Sequence, residues 1–252
     1  MEDIKKSLEL IKTLHEKLDK KELLKKTPLK FLHLYEDKRD IEVVGFISAI
    51  FSYGGIKEIF KTIETILSYL GEKPFRFLLE KRAFKEFPPL SHRFNSKEDI
   101  ISVLEMMGKV IRTFGSFENL FLFYYKRGEK IKEPLNCFAN VIYLMLPKRN
   151  TSLKFLFPFP SEGSGCRRWN LFLKWMVRDD GMDRGIWKRI SPADLVIPLN
   201  LHIWKVSKKL GLTNRKFPDW QAAEEVTEKL KLLNPKDPLS YEFTLNNLHL
   251  ST

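Results

Sequence analysis

Gly163-Ser164-Gly165, followed directly by Cys166-Arg167-Arg168, combines residue types and spacing that point to anion chemistry. Glycines ahead of a helix let backbone N–H groups approach a phosphate closely, and the helix N-terminus favours the negative charge. An arginine at the first helical turn can hold a phosphate through two parallel hydrogen bonds. The same residues also read as an ordinary loop, with Ser161 or Ser164 as the helix cap. Further along, Leu195-Val-Ile-Pro-Leu-Asn-Leu-His-Ile-Trp204 brings the Asn200 amide, the His202 imidazole and the Trp204 indole to the opening of another helix. Lys205, Lys208 and Lys209 follow on it. Between the two segments, Asp179, Asp180 and Asp183 lie in a polar loop. A carboxylate there is of the type that stabilises a developing cation or activates a nucleophile.

These residues need helices to position them. Trp169, Phe172, Leu173, Met176 and Val177 fall on one side of the segment from Arg167 to Val177, which predicts a helix. Residues 41–71 predict two helices split at Tyr53-Gly54-Gly55. The first is almost wholly apolar and should be buried. The second turns Ile56, Ile59, Phe60, Ile63, Ile66 and Leu67 inward and its lysines and glutamates outward. Ser96-x-x-Asp99 carries a capping signature for a helix that includes Ile100 to Ile111. Helices are also predicted over 117–125, 135–146, 220–233 and 240–248. Residues 72–98 are less regular, with a loop marked by Pro88-Pro89 and Ser91 to Asn95. Leu153 to Phe159 is the best strand candidate, short and bounded by proline. The fold class expected is all-α.

The balance of charge favours polyanions. Lys+Arg is 44 against Asp+Glu 32, a net +12, with a pI near 9.5. Nucleic acid is the first partner class such an excess suggests, and lysines on solvated faces are the bland alternative. Two cysteines, Cys137 and Cys166, are too few for a disulfide framework, a zinc site or a four-cysteine iron–sulfur cluster. The five histidines show no metal spacing, and no P-loop or serine-hydrolase motif is present. No metal or cofactor is expected. The charged start from Glu2 onward and the lack of a long apolar run predict a cytoplasmic protein without a membrane anchor.

Taken together, Glu162-Gly-Ser-Gly-Cys-Arg-Arg-Trp169 and Ile197-Pro-Leu-Asn-Leu-His-Ile-Trp-Lys-Val206 resemble the helix-hairpin-helix DNA glycosylase superfamily. The long loop between them is closest to its archaeal 8-oxoguanine glycosylase branch. The resemblance implies a two-lobed helical fold with the hairpin motif at the lobe junction. Residues 41–157 would form the central lobe and 158–212 the motif and active-site segment. Residues 1–40 and 213–252 would make the second lobe. It implies a monomer that binds damaged duplex DNA, flips a base and hydrolyses its N-glycosidic bond.

By the same resemblance the catalytic positions are Asn200, Arg167 and, as a substitute carboxylate, Asp183. Gly163, Ser164, Gly165, Arg168, Tyr53, His202 and Lys205 would contact DNA, Tyr53 as a wedge. Trp175 and Trp204 would line the base pocket. The family carries an aspartate where this chain has Asn200, and bifunctional members carry a lysine where it has Arg167. A neutral amide lacks the charge, and an arginine, protonated at working pH, forms no Schiff base. Hydrolysis and lyase activity are therefore expected to be altered or lost, and a non-catalytic lesion- or structure-binding protein is the alternative. Over most of its length the chain resembles, more closely, a microbial protein family of unknown function, which implies little chemistry.

Overall fold

The computed structural model describes residues 2–81 and 83–248. Its regular structure is helical, with no strand among the described residues, so the fold is all-α as expected. In chain order the α-helices are α1 (Glu2–His15), α2 (Lys20–Lys25), α3 (Lys38–Ile50), α4 (Ile56–Leu70), α5 (Pro74–Glu80), α6 (Lys97–Phe114) and α7 (Phe117–Leu122). There follow α8 (Lys132–Met145), α9 (Thr151–Leu156), α10 (Arg167–Val177), α11 (Leu201–Lys209), α12 (Trp220–Lys231) and α13 (Glu242–Asn247). No helix among them is long and apolar enough to cross a membrane.

The chain divides into two compact units. One comprises Leu24–Lys126 and Lys132–Phe159. Its centre is α3, buried from Asp40 to Ile50, which packs on the 3-10 turn Pro28–Leu34 and on α5. The apolar run predicted this burial; the two carboxylates inside it need a further reason. Each satisfies the start of a neighbouring helix. Asp40 accepts the Phe75 amide at 2.8 Å, and Glu42 accepts the amides of Phe117 and Glu118, both at 2.9 Å. A helix leaves its first N–H groups without partners, and an anion there is favoured by the helix dipole. The Phe46 ring stacks on Phe117 at 4.3 Å beside this cap. Helix α6 then packs on α5, α7 and α8. The Ser96–Asp99 capping box forms as the spacing predicted, with each side chain bonded to the other's backbone amide.

The other unit comprises Met1–Leu23, Arg127–Ile131 and Pro160–Thr252. Helix α13 packs on both α1 and α11, and α11 also packs on α12. Helix α10 is the core of this unit: all nine residues from Trp169 to Val177 are buried. Trp169, Trp175, Trp187 and Trp220 are among its largest enclosed side chains.

Four local expectations change. Leu153 to Phe159 is not a strand: Thr151–Leu156 is helix α9, started by the Asn150 side chain accepting the Leu153 amide at 2.8 Å. Within the irregular stretch 72–98, α5 forms where Pro74, at a first-turn position, presets the backbone. Ile56, expected inward, is 45% exposed, and the expected 240–248 helix opens as a 3-10 turn, Pro238–Tyr241, before α13.

Candidate functional site

The Gly163–Arg168 turn is shaped by the chain it packs against. A 3-10 turn, Pro160–Glu162, leads into Gly163 at φ +80. Ser164 bridges to Asp219, and the Trp220 amide donates to the Gly163 carbonyl at 3.4 Å. A Cβ on Gly165 would sit 2.7 Å from the Pro218 carbonyl oxygen, so this glycine permits the approach of 218–219. One amide expected to face a phosphate, that of Gly163, and the neighbouring Cys166 amide are engaged internally. The Gly163 amide donates to the Pro160 carbonyl at 3.2 Å, and that of Cys166 to Ser164 Oγ at 3.2 Å. Neither Ser161 nor Ser164 stands at the cap position of α10. Cys166 does, in the left-handed region at φ +46, with no capping side-chain bond. Its thiol is buried.

Arg167 and Arg168 open α10 and are half-buried. Burial pushes the Arg167 guanidinium below its ordinary range, against the raising effect of the Glu242 charge. Two turns further on, Lys174 is fully enclosed. Its ammonium lies 3.0 Å from Asp183 and 3.5 Å from Glu242, and 4.3 Å from the Phe243 ring centroid.

Asp183 is not an exposed loop aspartate; its side chain has no solvent exposure. Beside Lys174 it also pairs with Arg178. Arg178 in turn holds Asp237 at 2.7 Å and Asp180 at 3.2 Å. Burial pushes the Asp183 carboxyl up, opposed by the charges of Lys174 and Arg178. Asp180 goes the other way: burial raises it, but Arg178 and the Asp183 backbone amide outweigh that and hold it well below the usual carboxylate range. A carboxylate taken from water must be paired. This network pairs each one, and Asp183 has no open side from which to meet a substrate.

Asn200 is the N-cap of α11. Its Oδ1 accepts the Ile203 amide at 2.7 Å and its Nδ2 donates to Asn246 Oδ1 at 2.8 Å. Asn246 lies four residues after Glu242 on α13, hence one turn away on the same face. The short helix α13 thus meets Asn200 through Asn246, Lys174 through Glu242, and the field at Arg167 through Glu242. Two of the three catalytic candidates are tied to this helix, Asn200 directly and Asp183 through Lys174. Neither Glu242 nor Asn246 stands in a motif, and nothing in their local sequence signals this role. Replacing Asn200 by alanine is expected to lower unfolding free energy by about 1–2 kcal/mol. Urea titration of the two proteins checks this, with Asn200→Asp keeping the cap and most of the stability.

On α11, His202 and Trp204 are half-buried and Lys205 is exposed. Trp204 Nε1 donates to the Arg215 carbonyl at 3.3 Å, and Lys208 lies 5.0 Å from its ring centroid. Trp175, proposed for a base pocket, is 2% exposed and belongs to the core.

Tyr53, in the other unit, is half-buried and pinned. Its hydroxyl reaches the His92 carbonyl at 3.0 Å and Asn95 Oδ1. The His92 imidazole, fully buried, joins Tyr53 O at 2.9 Å to the Thr62 hydroxyl at 2.8 Å. Nε2 therefore carries the proton and donates, while Nδ1 accepts from Thr62. Burial lowers the imidazole's affinity for a second proton.

Among the described residues, no group of three or more His, Cys, Asp or Glu side chains is placed to hold a metal ion. No curated protein and no solved structure matches the chain. One family model matches residues 27–251, most of the chain, and the protein belongs to that family, described as "Protein of unknown function (DUF2400)".

Proposed function

We propose that the protein binds duplex DNA on a glycosylase-like helical scaffold, recognising a lesion or a displaced base without cleaving its glycosidic bond. In this reading residues 158–212 are the helix-hairpin-helix and site segment of a two-lobed monomer. Arg168, His202 and Lys205 lie at the DNA side. The observation that carries the loss of cleavage is the placement of Asn200. Its amide keeps the helix-capping bond that an aspartate would make, and carries no charge with which to stabilise an oxocarbenium ion. Asp183 does not replace that charge, because it is enclosed between Lys174 and Arg178. The net charge of +12 supports a polyanionic partner.

The test pairs binding with chemistry. Duplexes carrying 8-oxoguanine, uracil, hypoxanthine or an alkylated base are titrated with protein at rising salt, and base release is followed under single-turnover conditions. Affinity is expected to fall at least about tenfold between about 50 and about 200 mM salt, since even two neutralised phosphates give that slope. No base should be released. Release by the unaltered protein would restore the hydrolase reading. Release by Asn200→Asp alone would identify a competent glycosylase scaffold lacking its carboxylate. Affinity independent of salt, or no binding at all, would sink the nucleic-acid reading.

A further inference from the structure

Residues 92–95 form a tight two-residue hairpin. The His92 amide donates to the Asn95 carbonyl and the Asn95 amide to the His92 carbonyl, both at 2.9 Å. Arg93, at its tip, is held at φ +51. That positive φ is uncommon for an arginine, because its Cβ crowds the backbone there. Glycine would occupy it freely. Strain of this kind persists where the surroundings over-determine it, and it marks sites of function more often than ordinary loops.

The surroundings here are the Tyr53 and His92 network already described. It fixes both ends of the turn through His92 and Asn95. Gly54 leaves room for the arginine: a Cβ there would lie 2.8 Å from Arg93 Cδ.

What this frame presents is aromatic. Phe94 is 62% exposed and Phe155 is 42% exposed. Their rings meet edge to face at 5.6 Å, and Phe155 meets Tyr53 in the same manner at 5.1 Å. The Arg93 guanidinium lies 5.2 Å from the Phe94 ring centroid. The Glu58 carboxylate comes close to the Arg93 stem, 3.0 Å from the same Gly54 Cβ position, but no ion pair joins the two. A single outward phenylalanine is ordinary on a protein surface; two exposed rings in contact beside a cation are a more specific arrangement. Here Phe94 is held at the tip of a braced turn beside an arginine. A flat apolar partner that also carries negative charge satisfies both side chains at once. A nucleotide with an unpaired base has that chemistry: the base stacks on a ring and the phosphate meets the guanidinium.

We propose that the Arg93-Phe94 turn, backed by Phe155 and Tyr53, is a stacking site for an unpaired nucleobase of single-stranded or locally opened DNA. The inference rests on the nucleic-acid reading above and adds a preference for unpaired over fully paired strands.

Fluorescence anisotropy with a labelled single-stranded oligothymidine and a blunt duplex of equal length separates the two. Phe94→Ala is expected to weaken single-strand binding by about five- to tenfold, in the range of one lost base–aromatic stack, and duplex binding by less than about twofold. Phe94→Leu keeps an apolar side chain without the ring, and is expected to bind single strands as poorly as the alanine variant. Arg93→Gly is expected to keep or raise the melting temperature while lowering single-strand affinity, because it removes the strain and the charge together. If Phe94→Ala binds both DNAs as the unaltered protein does, or Phe94→Leu binds single strands normally, the stacking site is overturned and duplex binding stands. If the unaltered protein binds neither DNA at low salt, both readings fail.

Discussion

Lys174→Met is expected to destabilise the protein by about 3–5 kcal/mol, the range for breaking a buried ion pair by removing one partner. The side-chain volume is nearly conserved, so the loss is electrostatic rather than a cavity. Asp183 and Glu242 stay where they are, with the ammonium 3.0 and 3.5 Å away now absent. Urea unfolding near neutral pH measures the loss. Its pH dependence identifies the cause. Burial already pushes the Asp183 carboxyl up, and removing Lys174 removes an opposing charge, so the carboxyl rises further in the variant. A carboxyl whose folded pKa lies above its unfolded value of about 4 binds its proton more tightly when folded. Its penalty is then present above the folded pKa and relieved as pH falls through it. The gap between variant and unaltered protein should therefore narrow as pH falls toward the unfolded value of about 4. Adding Asp183→Asn to Lys174→Met should recover part of the stability, giving a non-zero coupling in the double-mutant cycle. A loss below about 1 kcal/mol, or one independent of pH, would mean that the network is solvated.

Asp99→Ala is expected to have a comparable effect in the other unit, about 3 kcal/mol or more, because it strands several donors at once. Asp99 accepts from Ser152 Oγ at 2.6 Å, Asn150 Nδ2 at 2.9 Å and the Ser96 amide at 3.1 Å, and pairs with Lys148 at 3.0 Å. Burial alone would raise its carboxyl; the bonds from Ser152, Asn150, Lys148 and Ser96 outweigh it and hold the group at about 2. The folded value lies below the unfolded one. The ionised carboxylate thus contributes stability that is complete above about pH 4 and lost as pH falls through about 2. The difference is on the order of 2 kcal/mol. The unaltered protein should lose that much more stability than Asp99→Ala over the acid range. Parallel acid profiles for the two proteins would contradict this role.

The helices that sequence revealed are those whose burial follows a regular period. The spacing of Trp169, Phe172, Leu173, Met176 and Val177 marks α10 with the limits found, Arg167–Val177. Tyr53-Gly54-Gly55 separates α3 from α4 because Gly54 adopts φ +97 there. Helix α9 escaped notice because six residues are less than two turns, too few to display a period; its start depends on one side chain, Asn150. The candidate site was harder to read for a different reason. Lys174 occupies the place in α10 where a solvent-facing residue is expected, yet the helix is enclosed on every side. Its partners, Asp183 and Glu242, lie 9 and 68 positions further along the chain. Asp183, among three aspartates of a polar loop, looks from sequence like a solvated residue. Only the fold distinguishes it from Asp179, which is exposed and pairs with Lys188 at the surface. Asn200 was found at the right place for its polarity, and its cap and its tie to Asn246 add a structural duty to whatever else it does.

The pairing of α1 with α13 governs the order in which this protein can be made. His15 meets Thr244 at 3.1 Å across 229 positions of sequence, and its ring lies 4.9 Å from that of Tyr241. On a ribosome α1 emerges well over 200 residues before its partner, since 229 positions separate His15 from Thr244. Until α13 emerges, the apolar side of α1, including Leu8 and the fully enclosed Ile11, lacks the native surface that covers it. At about 5–20 residues per second that interval lasts on the order of ten seconds or more. Residues 24–126 can meanwhile assemble their own core in sequence order. Helix α1 thus finds its place only long after it is made, and its apolar side must be shielded until α13 emerges.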